Sequence, residues 1–289
     1  MNIYQLCAKG EEEKLKKLIQ KAESKGLNVS QNLNTKNYFG RTALHYCFRF
    51  GRLNCAKFLI ENYEPNLLIQ SKSKWNILHD AARFGNTEIL HWFLNLKGKE
   101  KEIEKLIYMP NKQSNIPLYS AILSENIECV QLLYPISPLN IVNTKLHTPL
   151  LLGLTVGEIP IIHYILDKGG CDILTKDKNL ANAIFYCCYY EFDEMLEILK
   201  RVLKMLRDTS RTGVCLQDKN KFNCFHYTCF LNSPLSTIEL LKFYHDYEIE
   251  RINILDSHPL DVENIDGITP RDLAKPETKK MIDEFFKTH

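Results

Sequence analysis

The chain has 289 residues, with 37 Lys and Arg against 35 Asp and Glu, a net charge of +2, 45% hydrophobic residues and 25% charged ones. These values exclude a mostly disordered chain and allow one large or two ordinary domains with a sizeable core. So even a balance, without long charged tails, gives no broad basic face and argues against nucleic acid as a partner.

Taken in chain order, the start from Met1 to Glu13 has an acidic run and no apolar core region, so no secretory leader is expected. The ten cysteines then read as thiols of a reducing compartment, and the expected location is intracellular and cytoplasmic. One pattern recurs along the chain: a small or polar residue, an alanine, proline or apolar residue, a large apolar residue, then often histidine. Its instances begin at Thr42, Asn76, Ile116, Thr148, Asn182, Asn223 and Thr269, and their third residues stand 34, 40, 32, 34, 41 and 46 residues apart. After each tetrad comes a short apolar helix, a turn such as Phe50-Gly51-Arg52 or Phe84-Gly85-Asn86, and a second helix. In the second helix, leucine and isoleucine recur at helical spacing, as in Glu88 to Leu94 and Ile161 to Leu166. Between the units run polar connections rich in Asn, Asp, Lys and Gly. Ile3 to Gly10 followed by Lys14 to Ile19 reads as a degenerate opening unit. The mostly apolar stretch from Thr148 to Leu166 is broken at Gly157-Glu158-Ile159-Pro160, which reads as a turn between two short helices rather than a membrane span. The lysine-rich stretch from Lys97 to Lys105 alternates in sign and reads as a solvated face.

The Thr-Pro-Leu-His type tetrads, the alanine pair Ala81-Ala82, the glycine turns and the step of roughly 33 residues resemble the ankyrin repeat. Gly40 to Asn62 and Trp75 to Asn95 match best, Gly267 to Ala274 is similar to a closing repeat, and the middle units lose the histidine and the glycine. The resemblance implies an all-α solenoid of about seven to eight helix-turn-helix units with short β-turn tips. It implies one domain over 1–289, with 1–36 as a degenerate capping unit, 37–265 as central repeats and 266–289 as the closing cap. It also implies that His45, His79 and His226 are structural. The longer steps imply insertions at Leu96 to Ser114, in the lengthened helix from Phe192 to Leu206, and at His245 to Pro259.

For chemistry there is no G-x-G-x-x-G, phosphate loop, H-E-x-x-H or G-x-S-x-G. The group Cys224, His226 and Cys229 has three candidate ligands but no obvious fourth, and no C-x-x-C pair occurs, so no metal and no cofactor is expected. Cys187-Cys188 reads as packing in an inner helix. The chain is not expected to be an enzyme. In the family the concave face is built from the tips and the ends of the first helices. Carried over residue by residue, that face holds Tyr38, Phe39, Arg41, Arg49, Trp75, Arg83, His147, Tyr189, Tyr190, Phe222 and Phe230, all expected to face solvent. Aromatic residues with arginine are the composition of an interface. The expected function is protein–protein recognition, as an adaptor, scaffold or assembly subunit, by a chain that is a monomer on its own or a subunit of a hetero-complex. The alternative is a regulatory subunit of an enzyme. The Asn-, Lys- and Ile-rich composition hints at an AT-rich genome; in an intracellular bacterium, a host-directed effector becomes a further alternative.

Overall fold

Each tetrad becomes the start of a helix, and in all but the one at Ile116 the first residue has a side-chain oxygen able to cap the free amides there. The N-caps Thr42, Asn76, Asn223 and Thr269 each form a reciprocal capping box with the residue three further on. Pro117, Pro149 and Pro270 occupy first-turn positions, where no amide hydrogen is needed. The structure is a computed structural model and describes residues 2–190, 193–209, 215–248 and 258–288. Among the described residues all regular structure is helical.

Two compact units, 1–144 and 145–289, are each built the same way. In the first, the elements are α1 (Ile3–Lys9), α2 (Glu12–Glu23), α3 (Val29–Leu33), α4 (Ala43–Arg49), α5 (Leu53–Tyr63), α6 (Ile77–Arg83), α7 (Thr87–Leu94), α8 (Glu100–Tyr108), α9 (Pro117–Ile122) and α10 (Ile127–Leu133). The inner helices α1, α4, α6 and α9 pack side by side in that order, and each carries its own outer helix, α2, α5, α7 or α10. The second unit has α11 (Pro149–Val156), α12 (Ile159–Lys168), α13 (Ala183–Tyr189), α14 (Asp193–Thr209), α15 (Cys224–Leu231), α16 (Pro234–Phe243), α17 (Pro270–Leu273) and α18 (Pro276–Thr288). There α11, α13, α15 and α17 are inner and α12, α14, α16 and α18 outer.

The core lies between inner and outer helices. Phe48 of α4 meets Phe93 of α7 edge-on at 5.0 Å between ring centres, and both are fully buried. Such a pair links one repeat to the next, which is why a single repeat cannot stand alone. The break at 157–158 is a turn as expected, with Gly157 left-handed (φ 82°) between α11 and α12. The insertion at Leu96 to Ser114 contains a further helix, α8. It buries Ile103, Leu106 and Ile107 and turns its charged side chains outward, so the solvated face read from Lys97 to Lys105 is one side of an amphipathic helix. The lengthened helix is α14, with Met195, Ile198, Leu199, Val202 and Leu206 buried. Phe192 lies outside the described residues, as does most of the third insertion, 249–257.

The three longest steps share a feature at their starts. Each begins with asparagine: Asn76, Asn182 and Asn223. The side-chain amide of Asn76 donates to the Leu106 carbonyl at 2.8 Å, and that of Asn223 to the Pro259 carbonyl at 2.7 Å. In these two steps a buried amide thus ties the inserted segment to the inner helix it passes, whereas Asn182 caps its own helix by accepting from the Ile184 and Phe185 amides.

The tips are joined to one another by backbone hydrogen bonds, one per step. In the first unit Lys72 donates to Phe39, Lys112 to Ser73 and Thr144 to Gln113 (2.9–3.1 Å). In the second, Lys178 donates to Lys145, Lys219 to Asn179 and Ile265 to Asn220 (2.9–3.2 Å). The fourth residue of every tip is left-handed, yet only Gly40 and Gly267 are glycines there; the others are Lys74, Ser114, Leu146, Leu180 and Lys221. At Gly40 the need is also steric, since a Cβ would stand 2.6 Å from the Lys72 backbone nitrogen.

Candidate partner-binding residues

The tetrad histidines build the scaffold under the tips. The Trp75 carbonyl can only accept, so His45 donates to it through Nε2 (3.2 Å) and uses Nδ1 to accept from the Thr42 hydroxyl (2.9 Å) and amide (3.2 Å). His79 donates likewise to the Asn115 carbonyl and His226 to that of Ile268. Burial holds His45 and His79 neutral, with pKa values pushed down to about 4. Both ring nitrogens of His226 are used in this way, and Cys224 and Cys229 are buried thiols. Among the described residues no group of His, Cys, Asp or Glu is arranged to hold a metal ion. Cys187 and Cys188 are also buried.

In the first unit the tip and helix-end positions carry Tyr38, Phe39, Phe50 and Phe84 in the open, Tyr38 at 80% exposure. Tyr38 stands edge-on to Phe39, with the Lys72 ammonium 4.2 Å from its ring centre. The Arg49 guanidinium lies 4.1 Å over the Phe84 ring, and Arg83 is exposed while donating to the Leu123 carbonyl. Beneath them is Asp80, a residue the sequence reading passed over. Its side chain is fully buried and accepts from Arg41 Nε (3.4 Å) and Nη2 (3.3 Å), with Arg49 Nη1 at 3.6 Å. Burial outweighs the attraction of the two guanidiniums and raises the Asp80 pKa from 3.8 to about 6. Trp75 is only half-exposed and tilts against His79, so it supports the scaffold as well as the surface.

In the second unit Tyr189 (55% exposed) and Phe230 stand in the open, whereas Tyr190 and Phe222 are half-buried. Tyr189 packs edge-on to both Tyr190 and Tyr227, and Phe222 leans on His226 and Tyr227. Together Phe185, Tyr186, Tyr189 and Tyr227, with Asp218 and Lys219, line an open cleft of about 320 Å³. The phenols of Tyr186 and Tyr227 donate to Asp177 (3.0 Å) and Asp218 (2.7 Å). Burial first, and then the adjacent Asp177, pushes the Tyr186 pKa up to about 12.

His147 corrects the expectation that it faces solvent. It is 5% exposed, with its ring edge-on to Tyr186 and Nε2 at 3.9 Å from Asp177. The next tip supplies a carboxylate, Asp177, and the helix after it a tyrosine, Tyr186, that draw the imidazole inward, while Arg41 and Phe222, at the corresponding positions, stay part-exposed.

A family model for ankyrin repeats (3 copies) matches residues 3–105 and 78–177. The chain belongs to the ankyrin-repeat family, whose repeats are protein–protein interaction modules. It is similar to transient receptor potential cation channel subfamily A member 1 of Drosophila melanogaster, 25% identical over 131 residues. That match covers 44% of this chain and 11% of the channel subunit. Among solved structures, the ankyrin repeat domain of Bcl-3 aligns with a TM-score of 0.64 at 14% identity over 84% of this chain and 98% of that one. The human ASB11 ankyrin repeat domain aligns with a TM-score of 0.60 at 17% identity over 84% and 97%. These two likenesses establish the fold. Among the described residues no helix is long and apolar enough to cross a membrane.

Proposed function

We propose that the chain acts without catalysis, as an adaptor, scaffold or assembly subunit that holds a partner protein against its tips and inner-helix ends. The observation that carries this reading is the exposure of Tyr38, Phe39, Phe84, Tyr189 and Phe230, with Arg83 among them, on tip and helix-end positions. Large rings left in water beside arginine gain most when a partner covers them. In this reading residues 1–289 form one array with 1–36 and 266–289 as caps, working in a reducing compartment. Its ten thiols suit that setting, eight of them being buried. The test is affinity capture from the cells of origin with the intact chain and with a Tyr38→Ala, Phe84→Ala, Tyr189→Ala and Phe230→Ala variant of unchanged melting temperature. A stoichiometric partner lost from the variant is the expected result; a partner retained in full overturns the reading.

A further inference from the structure

The exposed rings do not sit in the same electrostatic surroundings in the two units, and the first unit's surroundings suit one kind of partner. Its tips and inner-helix ends carry Arg41, Arg49, Arg83, Lys72, Lys74 and Lys112. The Phe39–Lys72 and Ser73–Lys112 hydrogen bonds join the tips, and Asp80 bridges Arg41 to Arg49, so these cations share one side of the unit. Against them stand only Asp80, which is buried and already used, and Glu125. Asp80 takes two of the five N–H donors of Arg41 and holds Arg49 over Phe84, so both guanidiniums are positioned before any partner arrives.

Resting on the recognition reading above, we propose that this side of the first unit docks an acidic segment of a partner protein, carboxylates on the guanidiniums and lysines, apolar side chains on Tyr38, Phe39 and Phe84. Guanidinium forks match carboxylates in geometry as well as in sign. The same cations would also attract a phosphate backbone. The interleaved exposed rings and the carboxylate beneath them favour a segment that alternates acidic and apolar side chains over a uniform polyanion.

The test is a display selection of random peptides of about twelve residues on the full chain, followed by binding measurements on the selected peptides. Asp and Glu should be enriched together with apolar residues, and affinity should fall as salt rises from about 0.05 M to about 0.3 M. A Lys72→Gln, Lys74→Gln and Lys112→Gln variant changes three exposed tip side chains and leaves Asp80 and its arginines intact, so folding is kept. It should bind the peptides roughly tenfold more weakly. Neutral or basic selected peptides, no selected peptide at all, or equal binding to the variant overturns the proposal. So does a thymidine oligonucleotide of similar charge that binds this side more tightly than the peptides. If capture still yields a native partner that needs the exposed rings, the recognition reading stands while the acidic partner falls.

Discussion

In the second unit Asp177 and Asp218 each open a tip, and each accepts a hydrogen bond from the tyrosine nine residues on, Tyr186 and Tyr227. In the first unit Asn37 and Tyr46 pair at the same spacing, with the Asn37 amide donating to the phenol, but the next tip opens with Ser71, and the carboxylate stands nine residues on, at Asp80. Moved onto the inner helix, it faces Arg41 and Arg49 instead of a phenol. Residues 1–144 as a whole carry 19 Lys and Arg against 13 Asp and Glu, while residues 145–289 carry 18 against 22. The near-neutral total therefore conceals two units of opposite sign. One scaffold presents guanidiniums beside its exposed rings in the first unit and phenols over carboxylates in the second. The two surfaces should prefer different partner chemistry even though the backbone beneath them is the same.

The largest effect expected on this contrast is from Arg41→Met. It leaves the Asp80 carboxylate buried with a single, more distant guanidinium and should cost about 3 kcal/mol in urea unfolding. Tyr227→Phe in the second unit should cost only about 1 kcal/mol, because Asp218 keeps the amides of Asn220 and Phe222. Equal costs would mean that the two aspartates do the same work.

The pH dependence separates Asp80 from the histidines. The Asp80 pKa is raised in the folded chain, so the fold holds a proton that the unfolded chain releases. This group's contribution to stability therefore falls as pH rises from about 4 to about 6. Asp80→Asn should remove that fall and leave the chain at least as stable as wild type near about pH 7.5. His45 and His79 act in the opposite sense. Their folded pKa values lie below the usual 6.5, so their contribution is full above that value and is lost as pH drops towards 4. An Asp80→Asn curve that parallels wild type from pH about 4 to about 6 would contradict the account of Asp80.

A transplant sharpens the comparison further. Ser71→Asp with Asp80→Tyr gives the first unit the pairing of the second. Its stability should stay within about 1 kcal/mol of wild type, whereas Asp80→Tyr alone, without the tip acceptor, should be less stable than the double variant. The smallest effect concerns both units equally. Lys74→Gly and Lys221→Gly relieve left-handed strain and should each stabilise by roughly 0.5 kcal/mol, offset in part by the freedom of glycine in the unfolded chain. A loss at either position would show that the side chain contributes more than its backbone costs.

The repeat register is legible in sequence because capping and first-turn chemistry place particular residue types at fixed intervals. The tetrads, the opening and closing units and the turn at Gly157 all follow from it. The extra helix α8 is harder to read, since Ile103, Leu106 and Ile107 are spaced for one buried stripe but sit within a run of charges. Asp80 escapes because its position on the inner helix has no fixed chemistry. The signal that finds it is the serine at the preceding tip, where Asn or Asp stands in most other units. His147 is misread because exposure at the position before a tetrad depends on the next tip, and here that tip carries Asp177. Asn76 and Asn223, which open two of the three longest steps, are visible in the sequence, but their task needs the carbonyls of Leu106 and Pro259 to be in place.

The most direct test of the central claim, that tips and inner-helix ends carry recognition, is lysine crosslinking mass spectrometry on the captured complex. The tips offer Lys72, Lys74, Lys112, Lys178 and Lys219, and the helices α2, α8, α14 and α16 offer Lys17, Lys101, Lys200 and Lys242. Partner crosslinks should concentrate on the tip lysines. Crosslinks concentrated on Lys17, Lys101, Lys200 and Lys242, with the tip lysines free, would contradict that claim.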